Sequence, residues 1–173
     1  MRFLKWATIF LLFNSTLLES NEGYVDNDGV EIFYVDYGPA DNEPILLVQG
    51  LGGQLTFWPD ELISVLQDNG FRPIVYDNRD VGLSKNFEEY GRPNFVWNYA
   101  KFYLGLPLKS VYSLADMASD GIAVINHLNI EQTHLLAQSM GGMITQRMVA
   151  DNKERFKSYV LIASMARTPD LKT

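Results

Sequence analysis

The sequence predicts an α/β fold with a mostly parallel sheet, and three observations carry that prediction. Short apolar runs suited to strands alternate with segments of helical periodicity. Several of those runs are continuous rather than alternating, as in strands covered on both faces. A hairpin signal precedes them all. The chain has 173 residues, one domain's worth, and 47% of it is hydrophobic, so a packed core is expected.

The elements follow in order. Tyr24–Tyr37 holds two β-prone runs around Asn27-Asp28-Gly29, the signature of an antiparallel hairpin. Ile45–Val48 is a buried strand, and Gln49-Gly50-Leu51-Gly52-Gly53 follows it. Trp58–Asn69 has helical periodicity, with Pro59 in its first turn, Leu62, Ile63, Val65 and Leu66 facing inward, and Gly70 closing it. Phe71–Tyr76 is another buried strand. The polar turn Asp77–Ser84 packs opposite charges together, which predicts local ion pairs and hydrogen bonds that fix its shape. Asn86–Tyr112 reads as irregular and aromatic-rich, either a lip over a pocket or packing against the sheet edge. Ser113 and Asp116 resemble a capping box opening a helix through Leu128, with Met117, Ile122 and Ile125 inward. A strand and helix span Thr133–Gln146 and beyond, and Ser158–Ala163 reads as a last buried strand.

Composition excludes several classes of function. The net charge is -7 and the basic residues are scattered, so no nucleic-acid partner is expected. There is no cysteine, which removes disulfides, thiolate metal sites and a cysteine nucleophile. Neither a metal nor an organic cofactor is indicated. Arg2 and Lys5 before the apolar run Trp6–Phe13, with Ser20 as a small residue before a cleavage point, give residues 1–20 the layout of a signal peptide and leave 21–173 as the folded domain. Export to the periplasm or exterior is the expectation, with membrane anchoring or a cytoplasmic location as alternatives. The run is interrupted and short for a span, so no stable membrane crossing is expected.

The chemistry centres on Ala137-Gln138-Ser139-Met140-Gly141. A strand leads into it, and Met140, Met143, Ile144 and Met148 lead out at helical spacing. A serine on so sharp a turn, with small residues two positions before and after it, has the form of a nucleophile elbow. The bare pattern also arises by chance; the strand and helix flanks give it weight. The first amides of the following helix lack intrahelical partners, so the Met140 N–H is a candidate oxyanion donor. The glycine loop after Val48 allows three readings: a phosphate cradle, which lacks the Lys-Ser/Thr ending of a P-loop; a merely tight turn; or a second oxyanion donor at the Leu51 amide. The last accords best with the serine.

With the glycine loop, the Asp77–Ser84 turn and the Ala137–Gly142 elbow in this order, the chain resembles the α/β-hydrolase fold family from about Tyr24 to Ala163. It looks most like the branch of aclacinomycin methylesterase and related esterases. The resemblance implies the N-terminal part of that fold, with helices on both faces of the sheet and the last strands missing. It implies Ser139 as nucleophile, the amides of Leu51 and Met140 as oxyanion hole, and a small-molecule ester as substrate. Gln49 stands where many members have histidine, and Ala137 replaces the first elbow glycine. Both departures leave the backbone donors in place and bear on substrate class.

Family members place an acid and then a histidine after the serine. Here the only histidines are His127 and His134, and His134 lies roughly 15 Å from Ser139 at ~3.3 Å per residue of strand. Both read as structural. Asp170 stands where some members carry their acid. Without a base Ser139 is a weak nucleophile, so the chain is expected to be a C-terminally truncated, nearly inactive and poorly soluble piece of a longer esterase. Two other readings stay open: another reaction of the scaffold, such as C–C bond hydrolysis or perhydrolysis, and a non-catalytic binding module. Oligomeric state is not readable from these residues.

Overall fold

Asp28 and Gly29 take φ of 53° and 85°, the two left-handed residues that a two-residue hairpin turn requires. They join β1 (Asn21–Asn27) to β2 (Val30–Asp36) in an antiparallel pair. The computed structural model describes residues 20–91, 94–107 and 110–165. Residues 1–19, and with them the expected signal peptide, lie outside the described residues, as does Asp170.

After the hairpin the described strands run β3 (Glu43–Val48), β4 (Phe71–Tyr76), β5 (Thr133–Gln138) and β6 (Phe156–Ile162). The sheet order is β1-β2-β4-β3-β5-β6, with β4, β3, β5 and β6 parallel to one another and β2 antiparallel to β4. Three helices pack on the sheet: α1 (Asp60–Asp68), α3 (Leu114–His127) and α4 (Met140–Asp151). Between α1 and α3 in the chain lies α2 (Phe95–Tyr103).

The two-residue period of the strands divides the core into two layers. Ile32, Tyr34, Leu46, Val48, Ile74, Leu135 and Ala137 face α3 and α4, meeting Met117, Val124, Ile125, Ile144 and Met148. Phe33, Val35, Ile45, Leu47, Val75 and Leu136 face the opposite side, meeting Ile63 of α1 with Leu55 and Trp58. Helices on both faces explain why the central strands are continuously apolar. Leu46, Leu47, Val48 and Leu135 have no exposed surface.

The structure departs from four expectations. Val65 is exposed, because α1 buries a single stripe centred on Ile63. Asn86–Tyr112 is not wholly irregular, since α2 and a short 3-10 turn at Glu88–Tyr90 lie within it. Strand β6 is largely exposed rather than buried, for it forms the edge of the sheet and leaves Tyr159, Val160 and Ile162 open. The Arg79 ion pair is not local to its turn: the guanidinium reaches Asp120 in α3.

Candidate active site

Strands β3, β4 and β5 are adjacent and parallel, so their carboxyl ends, Val48, Tyr76 and Gln138, lie along one edge of the sheet. The glycine loop, the Asp77–Ser84 turn and Ser139 are thereby brought to the same end. Ligands of open α/β sheets bind at such an edge.

Ser139 joins β5 to α4 with φ 53° and ψ -121°, a conformation that non-glycine residues rarely adopt. Backbone of this kind costs on the order of 1–3 kcal/mol and persists where the surroundings over-determine it. Here the Ser139 N–H donates to the Ile162 carbonyl at 2.9 Å, and the Gly142 N–H donates to the Ser139 carbonyl at 3.0 Å. The small neighbours are required by contact. A Cβ at Gly141 would lie 2.2 Å from the Val48 carbonyl oxygen, and one at Gly142 would lie 2.2 Å from Ser164 Oγ. Ala137 is completely buried, while the Ser139 side chain is exposed.

The glycine loop rests against this serine. A Cβ at Gly50 would lie 3.0 Å from Ser139 Cβ and 3.5 Å from its Oγ. The loop turns through a bond from the Gly53 N–H to the Gly50 carbonyl at 3.2 Å. Beneath it Gln49 is buried, and its Oε1 accepts from the Gly50 N–H at 3.4 Å. Among the described residues neither the Leu51 amide nor the Met140 amide donates to a protein acceptor, and Met140 opens the helix, where backbone donors lack intrahelical partners. The sequence-predicted trio of Leu51, Ser139 and Met140 is thus drawn from two loops that touch through Gly50 and Ser139.

Sequence reasoning missed the residues that hold these loops in place. The buried Asp77 carboxylate accepts from the Leu55 N–H at 2.7 Å and the Leu83 N–H at 2.9 Å, tying the segment just after the glycine loop to its own turn. Asn78 Nδ2 donates to the Gln49 carbonyl at 3.0 Å. Gly82 admits the Asp77 carboxylate, which would lie 2.0 Å from a Cβ there. The dense polar turn was the available signal; what it could not give was the partner, which lies in another loop. Arg79 Nε and Nη2 both donate to Asp120 at 2.7 Å, and Asn27 Nδ2 donates to the same carboxylate at 2.7 Å. Burial pulls the Arg79 guanidinium down, but its bonds to Asp120 outweigh that, and the net shift is upward. Burial, reinforced by the Asp80 carboxylate, pushes the Tyr112 hydroxyl up to about 12.

Both histidines lie elsewhere. His134 sits at the amino end of β5, its Nδ1 2.7 Å from Ser158 Oγ and its Nε2 3.4 Å from Glu43 Oε1. His127 is in the last turn of α3, its ring 5.6 Å from that of Tyr34. No group of three or more His, Cys, Asp or Glu that could hold a metal ion occurs among the described residues.

The family model for the alpha/beta hydrolase fold matches residues 43–173, and the chain belongs to that family. A protein of Variovorax paradoxus (strain S110) that carries the name carbamate hydrolase RutD is 29% identical over 136 residues, 79% of this chain and 43% of that protein. Rhodomycin D methylesterase DnrP of Streptomyces peucetius is 25% identical over 146 residues, 84% of this chain and 43% of its own length. Among solved structures, a carboxylesterase of the thaumarchaeon Nitrososphaera gargenis superposes with a TM-score of 0.68 at 23% identity, covering 86% of this chain and 47% of that one. That last likeness is one of fold. The matched residues cover less than half the length of these relatives, and the methylesterase branch expected from the sequence is among them.

Proposed function

We propose that the protein of which these residues form part is a serine hydrolase of small-molecule carboxylic esters, with Ser139 as nucleophile. The observation that carries this reading is the left-handed backbone of an exposed serine at a strand-to-helix turn, with Gly50 of the glycine loop against it. Attack of Ser139 Oγ on the ester carbonyl forms a tetrahedral intermediate whose oxyanion is met by the amides of Leu51 and Met140. Collapse expels the alcohol and leaves an acyl-serine, which water then hydrolyses. The methylesterase among the relatives supports an ester as substrate.

The serine needs a base, and neither His127 nor His134 is placed to serve. The matched residues cover 43% of each of two relatives, which supports the reading that base and acid lie outside these 173 residues, which alone then hydrolyse esters slowly or not at all. The second reading is a non-catalytic module that keeps the fold; an in-frame continuation of the coding sequence with a late histidine would count against it. The reading also assigns residues 1–20 to export. In the full-length protein, Ser139→Ala is expected to lower kcat on 4-nitrophenyl butyrate by at least ~10³-fold. Turnover retained by that variant within about tenfold would overturn the proposal.

A further inference from the structure

The Gln49–Gly50 peptide, which leads the glycine loop past Ser139, is tied at both ends. Its carbonyl accepts from Asn78 Nδ2 at 3.0 Å, and its N–H donates to Gln49 Oε1 at 3.4 Å. The first turn of α4 closes on the same carbonyl, since a Cβ at Gly141 would lie 2.7 Å from that oxygen. The next peptide is tied at its oxygen: the Gly50 carbonyl accepts from the Gly53 N–H at 3.2 Å. A trans peptide is planar with its C=O and N–H opposed, so a carbonyl turned into the loop turns the Leu51 N–H out of it. The orientation of that amide passes through two linked planes, and Asn78 holds the first.

Asn78 is itself held from the core. Its neighbour Asp77 donates its N–H to the Phe33 carbonyl at 3.0 Å and spreads its carboxylate between the Leu55 and Leu83 amides, while the Asn78 carbonyl accepts from the Val81 N–H at 3.1 Å. Gln49, Asp77 and Asn78 are 4%, 2% and 1% exposed, so bulk water has little access to the contact. The Gln49 carbonyl can only accept, which fixes the Asn78 amide with Nδ2 toward it. Asn78 Oδ1 is then buried without a donor among the described residues. A buried acceptor left so costs at least about as much as a donated bond contributes. On balance Asn78 adds little to stability, and what distinguishes it is where it puts the loop.

We infer that Asn78 is a positioning residue for the oxyanion hole: by holding the Gln49 carbonyl it fixes the peptide planes that aim the Leu51 N–H above Ser139. The inference rests on the proposed function, with Ser139 as nucleophile and the Leu51 amide as donor. The setting is exacting, since a Cβ at Gly50 would lie 3.0 Å from Ser139 Cβ. A donor must sit about 2.7–3.1 Å from the oxygen of the tetrahedral intermediate, and a displacement of about 1 Å removes a large part of its effect. Substrate in its ground state makes less of that contact, so the loss falls on kcat rather than KM.

Kinetics of Asn78→Ala and Asn78→Val in the full-length protein test it; one removes the side chain, and the other keeps bulk without the donor. With 4-nitrophenyl butyrate, kcat is expected to fall at least about tenfold in both, with KM within about threefold and Tm within about 3 °C of the parent. Butylboronic acid forms a tetrahedral adduct on a serine with an oxygen where the oxyanion forms, and its inhibition constant is expected to rise by the same factor as kcat falls. That constant does not depend on how much of the sample is folded. Folded variants that keep both kcat and boronate affinity would overturn the inference. So would a loss of kcat with boronate affinity intact, or failure of both variants to fold, either of which would leave Asn78 a residue of stability alone. Ser139→Ala assayed alongside separates the two proposals. Turnover retained there refutes the reading of Ser139 and this inference with it, whereas inactive Ser139→Ala beside unimpaired Asn78 variants refutes the inference only.

Discussion

At the scale of single residues the site is built on one uncomfortable conformation. Ser139 holds φ 53° and ψ -121° because Ile162 takes its amide, Gly142 donates to its carbonyl, and Gly141 lets α4 pass against Val48 and Gln49. Strain of this type is stored where chemistry requires it and is released by glycine. Ser139→Gly is therefore expected to raise stability by about 1 kcal/mol, after discounting the extra unfolded-state freedom of glycine, and to abolish turnover under the proposed function. In a domain of this size that gain corresponds to a rise in Tm of about 2–4 °C. A lower Tm, measured by circular dichroism, would mean that the serine is not strained. The serine was legible in the sequence because small residues at 137 and 141 leave a short pattern. Asp77 was not, because an aspartate capturing amides from two loops looks, in sequence, like any acid in a polar turn.

At the scale of elements, the turn after β4 is anchored to α3 by a buried ion pair. Asp120 has no exposed surface and accepts three bonds, two from Arg79 and one from Asn27 of the hairpin. Replacing such a pair with apolar groups can be neutral, but removing one partner leaves a buried charge uncompensated. Asp120→Ala is expected to cost about 3–5 kcal/mol, a fall in Tm on the order of 10 °C. A fall of less than about 2 °C would show that Arg79 finds water or another acceptor. Strand and helix boundaries were read closely where caps and turns are chemically explicit, as at Asp28-Gly29 and in the Ser113/Asp116 capping box. Helix α2 was not; its start signal is Asn94, whose Oδ1 accepts from the Trp97 N–H at 3.0 Å, in a stretch dense in aromatic residues on both sides of it.

At the scale of the whole molecule, a sheet covered on both faces brings three loops from distant stretches of sequence to one edge. The alternation of strand and helix predicted that arrangement. For β6 two expectations met: its apolar run implies cover, while a place at the rim of the sheet implies an open apolar edge, and the described residues leave both faces of the strand largely open. The account as a whole depends on Ser139 being the group that attacks acyl carbon. The most direct measurement is peptide mapping by mass spectrometry after fluorophosphonate treatment of the full-length protein. The account predicts a single covalent adduct on the peptide containing Ser139, absent from Ser139→Ala. An adduct on another serine, or none on folded protein that hydrolyses esters, would contradict it.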